Sequence, residues 1–208
     1  MKDIIPIFPL NLVLFPGAVY PLHIFEERYK KLVARCRDND EGFGIISKID
    51  DTLAPVGCYV KILEIINVYD NGSLDIIVRG IKRFRQKSKS IHTDGYLQAV
   101  VEDYIDNESD FSDVKTQETV LNKFQNILKK TKIELSQKFW NNLDTSNKKS
   151  FKIAEKAGLN LKQQQDLLNL QSEKKRIDLL LKHFLFLETY LDNSDIVKDI
   201  VMRDGYLN

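Results

Sequence analysis

The first apolar residues of the chain recur at every second position. In "IIPIFPLNLVLFPGA", Phe8, Leu10, Leu12 and Leu14 alternate with Pro9, Asn11, Val13 and Phe15, a period of two that predicts an extended strand. Pro6 and Pro9 cannot donate to a ladder, so the strand is expected at an irregular sheet edge. Pro16-Gly17 is a turn signal and stops it at Phe15. Beyond Pro21 the period changes. Phe25, Tyr29, Leu32, Val33 and Cys36 share one side at helical spacing, with Glu26 and Glu27 early and Arg35 and Arg37 late, the order that suits a helix dipole. The opening is expected as edge strand, tight turn, rigid extended loop carrying Val19 and Tyr20, and amphipathic helix.

The next segments keep the short period. "FGIISK", "VGCYVKILEIINVY", "GSLDIIVRG" and "YLQAVVEDY" are β-branched or aromatic runs punctuated by glycine and aspartate. Asn71-Gly72 between two of them predicts a hairpin, with strands 56–69 and 73–79 antiparallel. After residue 114 the period is helical. "VLNKFQNILKK" places Val120, Phe124, Ile127 and Leu128 on one face. Gly158 stops a helix, Asn160 with Gln163 forms a capping box for the next, and Ser172 caps a long helix reaching residue 191. That helix is apolar on more than one side, through Leu179, Leu180, Leu181, Phe184, Leu185 and Phe186, so it is either the lobe's centre or partly a partner-binding surface. The helices are expected to pack around Phe124, Trp140, Leu168, Leu180 and Phe184, with a last short helix from Ser194.

Charge divides this pattern. Glu102, Asp103, Asp106, Glu108, Asp110 and Asp113 follow one another with no basic residue between them. The expected organisation is a β-rich lobe over 1–101, a solvated acidic linker over 102–114 and a helical lobe over 115–208. A formal net charge of +1 gives no general reason for nucleic acid or anionic lipid as partner. No apolar run approaches the ~20 residues of a membrane span, and the N-terminus lacks a signal-peptide core, so the expected setting is cytoplasmic. Cys36 and Cys58, without CxxC spacing, are expected as reduced core residues.

Catalytic patterns are missing. The chain has no phosphate loop, GxGxxG, GxSxG or HExxH, and His23, His92 and His183 are far apart with no partner at ligand spacing. No enzyme activity, cofactor or metal is expected. A rival enzyme would need a cleft that gathers His23 with carboxylates. The basic run 79–89, with Arg79, Lys82, Arg83, Arg85, Lys87 and Lys89, reads either as a solvated strand edge or as a single-stranded nucleic-acid surface, although only Phe84 is interleaved for stacking.

Three stretches in order, "IPIFPLNLVLFPGAVYPLHIFEERYKKLV", "VGCYVKILEI" and "DIIVRGIKRFR", resemble the N-terminal substrate-binding domain of Lon proteases, and "GLNLKQQQDLLNLQSEKKRIDLLL" is similar to the helical stretch that follows it. The resemblance covers nearly the whole chain. It implies an α+β fold, a mixed or antiparallel PUA-like β pseudo-barrel followed by an all-helical lobe. It also implies non-catalytic polypeptide recognition, here without the ATPase and protease modules, as in a stand-alone domain. The implied partners are unfolded or tagged polypeptides and a separate protease or chaperone. The same module also serves as a scaffold in cereblon. The prolines fix the helix beside the sheet edge, or simply close the pseudo-barrel. On the first reading, Val19 and Tyr20 with Glu27, Arg28 and Lys31 border a shallow groove for an extended peptide.

Overall fold

The computed structural model describes residues 3–107 and 113–190. It divides into two compact units, the first closing at Ile105 and the second opening at Asp106. The elements of the first unit are β1 (Asp3–Leu10), β2 (Val19–Ile24), α1 (Glu27–Asp38), β3 (Phe43–Ile49), β4 (Thr52–Leu53), β5 (Val56–Val68), β6 (Leu74–Ile91) and β7 (Leu97–Asp103). The sheet runs β1-β7-β6-β5-β3-β4, and an extra parallel pairing of β1 with β3 closes five of its strands into a ring. Ile7, Ile46, Phe84, Ala99 and Val101 fill the ring.

β1 is not the expected edge strand, and it ends at Leu10 rather than Phe15. Its first half pairs antiparallel with β7 and its second half parallel with β3. Each half thus keeps one open side, where Pro6 and Pro9 are tolerated. Val13, Leu14 and Phe15 follow as buried coil. The expected loop at Val19 and Tyr20 is strand β2, paired antiparallel with β6 from Val19↔Arg79 to Ile24↔Leu74.

The bond from Gly80 N–H to Ala18 C=O sets the parity of that ladder. Even-numbered β2 residues face β6, so Pro21 sits on the open side, where its missing N–H breaks no bond. The β5–β6 hairpin forms where Asn71-Gly72 predicts it, with Val68 opposite Leu74 and Gly72 at φ +75°. Helix α1 starts at Glu27, two residues late, and buries Tyr29, Leu32, Val33 and Cys36. Phe25 falls off its stripe and is 64% exposed. Cys36 and Cys58 are buried, and desolvation pushes the Cys58 thiol up to about 12.

The second unit contains α2 (Val114–Thr131), α3 (Gln137–Thr145), α4 (Lys149–Ala154), α5 (Leu161–Asn169) and α6 (Glu173–Tyr190). Phe124, Leu168, Leu180 and Phe184 are buried as expected, whereas Trp140 is half-buried and Phe139 takes the inner place beside Phe124. The Asn160–Gln163 capping box is formed at α5, and the Ser172 hydroxyl accepts from Lys175 N–H at the start of α6. Along α6, Leu180, Phe184 and Leu187 are buried while Leu185 and Phe186 are exposed. The expected helix from Ser194 lies outside the described residues.

Arg176 is fully buried in this unit and every N–H of its guanidinium is used. Nε donates to Ser150 Oγ at 2.9 Å, Nη1 to Asp106 at 2.9 Å and to Leu170 C=O at 2.8 Å, and Nη2 to Asp106 at 2.6 Å and to Glu173 at 2.7 Å. Phe151 lies 4.3 Å below the guanidinium. Asp106 also meets Lys148 at 3.0 Å. Within the acidic stretch, Glu102 and Asp103 lie in β7 with solvent-exposed side chains, and Asp106 belongs to this hub.

Candidate functional site

The alternation of β2 decides which candidates share a surface. Val19 lies opposite Arg79 and Tyr20 opposite Val78, and consecutive residues of a strand point to opposite faces. Val19 and Tyr20 therefore do not form one patch. The outward face of β2 carries Val19, Pro21 and His23, and it runs on to Phe25 immediately before α1. There His23 Nδ1 lies 2.6 Å from Asp75 Oδ1. Tyr69 and Asn67 donate to the other oxygen of Asp75. Those bonds, Tyr69 first and then His23, hold the Asp75 carboxyl down at about 2. The Phe25 ring stacks on His23 at 5.9 Å, and Tyr69 meets His23 edge-on at 5.8 Å.

This cluster is what a hidden hydrolase would require, so its chemistry matters. Among the described residues, the side chains that meet His23 and Asp75 are Asn67, Tyr69 and Phe25. Of these only Tyr69 has a nucleophilic oxygen, and its bond to Asp75 pushes the phenol pKa up, against phenolate formation. The group is a polar anchor for exposed aromatic rings on a strand face.

On α1, Glu27, Arg28 and Lys31 are exposed, as the helix's polar face requires. Glu27 accepts from Lys30 at 2.7 Å, Arg28 meets Glu26 at 2.6 Å, and Lys31 reaches Asp94 at 3.5 Å. Lys30 also donates to Asn71 C=O, tying α1 to the β5–β6 turn.

The basic run 79–89 lies wholly within β6, which is hydrogen-bonded to β2, β5 and β7. Phe84 points into the core, Arg83 and Arg85 stack on Tyr104, and Lys82 and Lys87 pair with Asp103 and Glu102. A single-strand groove needs open cations and exposed rings, so the nucleic-acid reading is not supported. Among the described residues no helix is long and apolar enough to cross a membrane, and no group of three or more metal-ligating side chains forms.

A family model described as the ATP-dependent protease La (LON) substrate-binding domain matches residues 4–184. The chain belongs to this family. A Lon protease of Halothermothrix orenii is 30% identical over 184 residues, which is 83% of this chain and 23% of that protein. The Lon protease of Cytophaga hutchinsonii is 24% identical over 86% of this chain and 24% of that protein. The chain thus spans about a quarter of the length of these curated relatives. The crystal structure of a Lon N-terminal domain protein from Xanthomonas campestris matches with a TM-score of 0.68 and 27% identity, covering 86% of this chain and 98% of that one. The N-terminal domain of a Mycobacterium avium complex Lon protease shares the fold, at a TM-score of 0.65 and 15% identity over 88% of this chain and 98% of that one. The α+β architecture of a strand ring with helices is that of Lon N-terminal domains. Sequence reasoning missed the His23–Asp75 pair, whose members lie 52 residues apart, and the exposure of Phe25. The sequence pattern reads the segment before Phe25, carrying Val19 and Tyr20, as an extended loop and Phe25 as part of the helix stripe, so neither signals that exposure.

Proposed function

We propose that this Lon-type domain recognises unfolded or tagged polypeptides without turning them over, and hands them to a separate protease or chaperone in the cytoplasm. The observation that carries this reading is Phe25, a large ring left in solvent on a rigid step between β2 and α1. Exposed aromatic area on a fixed backbone binds apolar side chains at little entropic cost. Val19, Pro21 and His23 extend the surface along β2, and Glu27, Arg28 and Lys31 supply polar contacts along α1. Tyr20, turned to the other face of β2, supports the strand rather than the ligand.

The test is a titration of fluorescently labelled unfolded polypeptide into the protein and two variants. Phe25→Ser is expected to weaken binding by about five- to ten-fold, in line with ~1–1.5 kcal/mol for an exposed aromatic contact. The triple change Glu27→Ala, Arg28→Ala, Lys31→Ala is expected to weaken it further. Unchanged affinity in both variants removes the site. Purified protein is expected to hydrolyse no ATP and to cleave no unfolded model substrate. Turnover that survives a contaminant control overturns the non-catalytic reading.

A further inference from the structure

The strand ring is open at the end where β1 begins and β7 finishes, and a cavity of about 600 Å³ lies there. Its floor is apolar: Ile5, Tyr59, Phe84 and Val101 line it, the upper layer of the ring's own core. Gly42 N–H donates to the Tyr59 hydroxyl at 2.6 Å, which fixes the phenol at the mouth. A side chain on residue 42 would collide with Tyr59 and with Val60 C=O, so the approach stays open only to glycine. The rim carries Asp3, Glu41, Glu102 and Asp103 against two cations, Arg35 and Lys82.

Both cations are already engaged. Arg35 donates to the Tyr96 hydroxyl at 3.0 Å and lies 3.7 Å from Glu41, while Lys82 pairs with Asp103. Glu102 is paired with Lys87 at 2.7 Å, so Asp3 is the one rim carboxylate left without a cation among the described residues, and the mouth is concave, apolar below and carries one unmatched negative charge above. Its volume falls in the ~300–1,000 Å³ range of ligand sites, which often occupy the mouths of β-barrels.

We propose that the ring mouth binds a cationic group carried on an apolar stem, which in a polypeptide is a lysine or arginine beside a phenylalanine or leucine. The apolar group seats on Tyr59 and Phe84, and the cation meets the unpaired carboxylate of Asp3 on the rim. This rests on the polypeptide reading only for the source of the ligand, and the site is separate from the β2–α1 surface.

The experiment is an amide NMR titration of the intact protein with acetyl-Leu-Phe-Lys-Leu-amide, with the same peptide carrying glutamate for lysine, and with phenethylammonium. The lysine peptide and phenethylammonium are expected to shift the amides of Tyr59, Phe84 and Val101. The glutamate peptide is expected to bind about ten-fold more weakly, as loss of one favourable charge contact and gain of a repulsive one implies. The double variant Asp3→Lys, Glu41→Lys, both at exposed positions, is expected to remove that preference with unchanged thermal unfolding. Equal affinity for the two peptides, or shifts confined to other residues, overturns the proposal. Phenethylammonium binding at the mouth together with no capture of unfolded polypeptide upholds the pocket and sinks the polypeptide reading. Loss of mouth binding in the α1 triple variant overturns the separateness of the two sites.

Discussion

Arg176 shows how much one side chain can organise. A fully buried guanidinium survives desolvation only when every donor is met, and here Asp106, Glu173, Ser150 and Leu170 C=O meet them all. Replacing it with methionine strands Glu173 without its cation and leaves Asp106 only the half-exposed Lys148. Arg176→Met is expected to lower stability by about 3–5 kcal/mol, read as a shifted midpoint in urea unfolding. Arg176→Lys is expected to recover little, because an ammonium cannot serve two carboxylates and a carbonyl in a planar fork. His183 gives a residue-scale pH dependence. Its burial holds the ring's pKa below the ordinary 6.5, while Ala157 C=O lies 2.9 Å from Nε2 and pulls weakly the other way. Above 6.5 the ring is neutral folded and unfolded, so it adds nothing there. As pH falls below 6.5 the unfolded chain takes up the proton first and the helical unit loses stability. A His183→Gln variant is expected to flatten the fall in unfolding midpoint as pH drops below 6.5; an identical slope in both proteins refutes the assignment.

At the scale of elements, β2 depends on two positions that a list of strand formers would not choose. Gly80 in β6 exchanges bonds with the turn before β2, through Gly17 N–H to Gly80 C=O and Gly80 N–H to Ala18 C=O. A Cβ there would stand 2.3 Å from Phe15 C=O, a backbone atom that cannot swing aside. Gly80→Ala is expected to cost about 1–3 kcal/mol through this overpacking, visible as a lower unfolding midpoint of the sheet unit. Pro21 acts on the opposite edge of β2, where a regular strand would present a row of N–H groups to other chains. Pro21→Val restores a donor on that open side. It is expected to raise concentration-dependent association, measured by light scattering, while the folded monomer's circular dichroism stays the same.

At the scale of the molecule, each unit has its own core: the strand ring around Phe84 and the helices around Phe124 and Phe184. The proposal of an acidic connection within residues 102–114 predicts where a protease cuts first. Limited digestion of the native protein is expected to give two persistent fragments with ends after Asn107 and before Val114. Asp106 is held by Arg176 and Lys148, and Asp103 by the β6–β7 ladder, so cutting at either is expected to be slower. Early cleavage inside 56–80 would contradict this organisation.

Local chemistry determined what needs only neighbours in sequence. Asn71-Gly72 specified the hairpin because a positive φ is cheap at glycine, and Asn160 with Gln163 specified the start of α5 because each side chain reaches the other's backbone. The apolar stripe of α1 from Tyr29 to Cys36 follows from 3.6 residues per turn. The proline and glycine pattern of the opening, with the two strand segments that follow it, carries the family resemblance. Long-range pairing decided the remainder. Whether "VYPLHI" is loop or strand depends on β6, some 55 residues away, offering a ladder whose parity puts Pro21 outside. β1 escapes being an edge only because β3 and β7 each take half of it. Neither the His23–Asp75 pair nor the Arg176–Asp106 hub leaves a local trace, since contacts 52 and 70 residues apart exist only after the chain has closed those loops. The cavity at the ring mouth belongs to the same class. Asp3, Glu41, Tyr59 and Val101 are ordinary residues along the chain, and only closing the strands into a ring turns them toward one space.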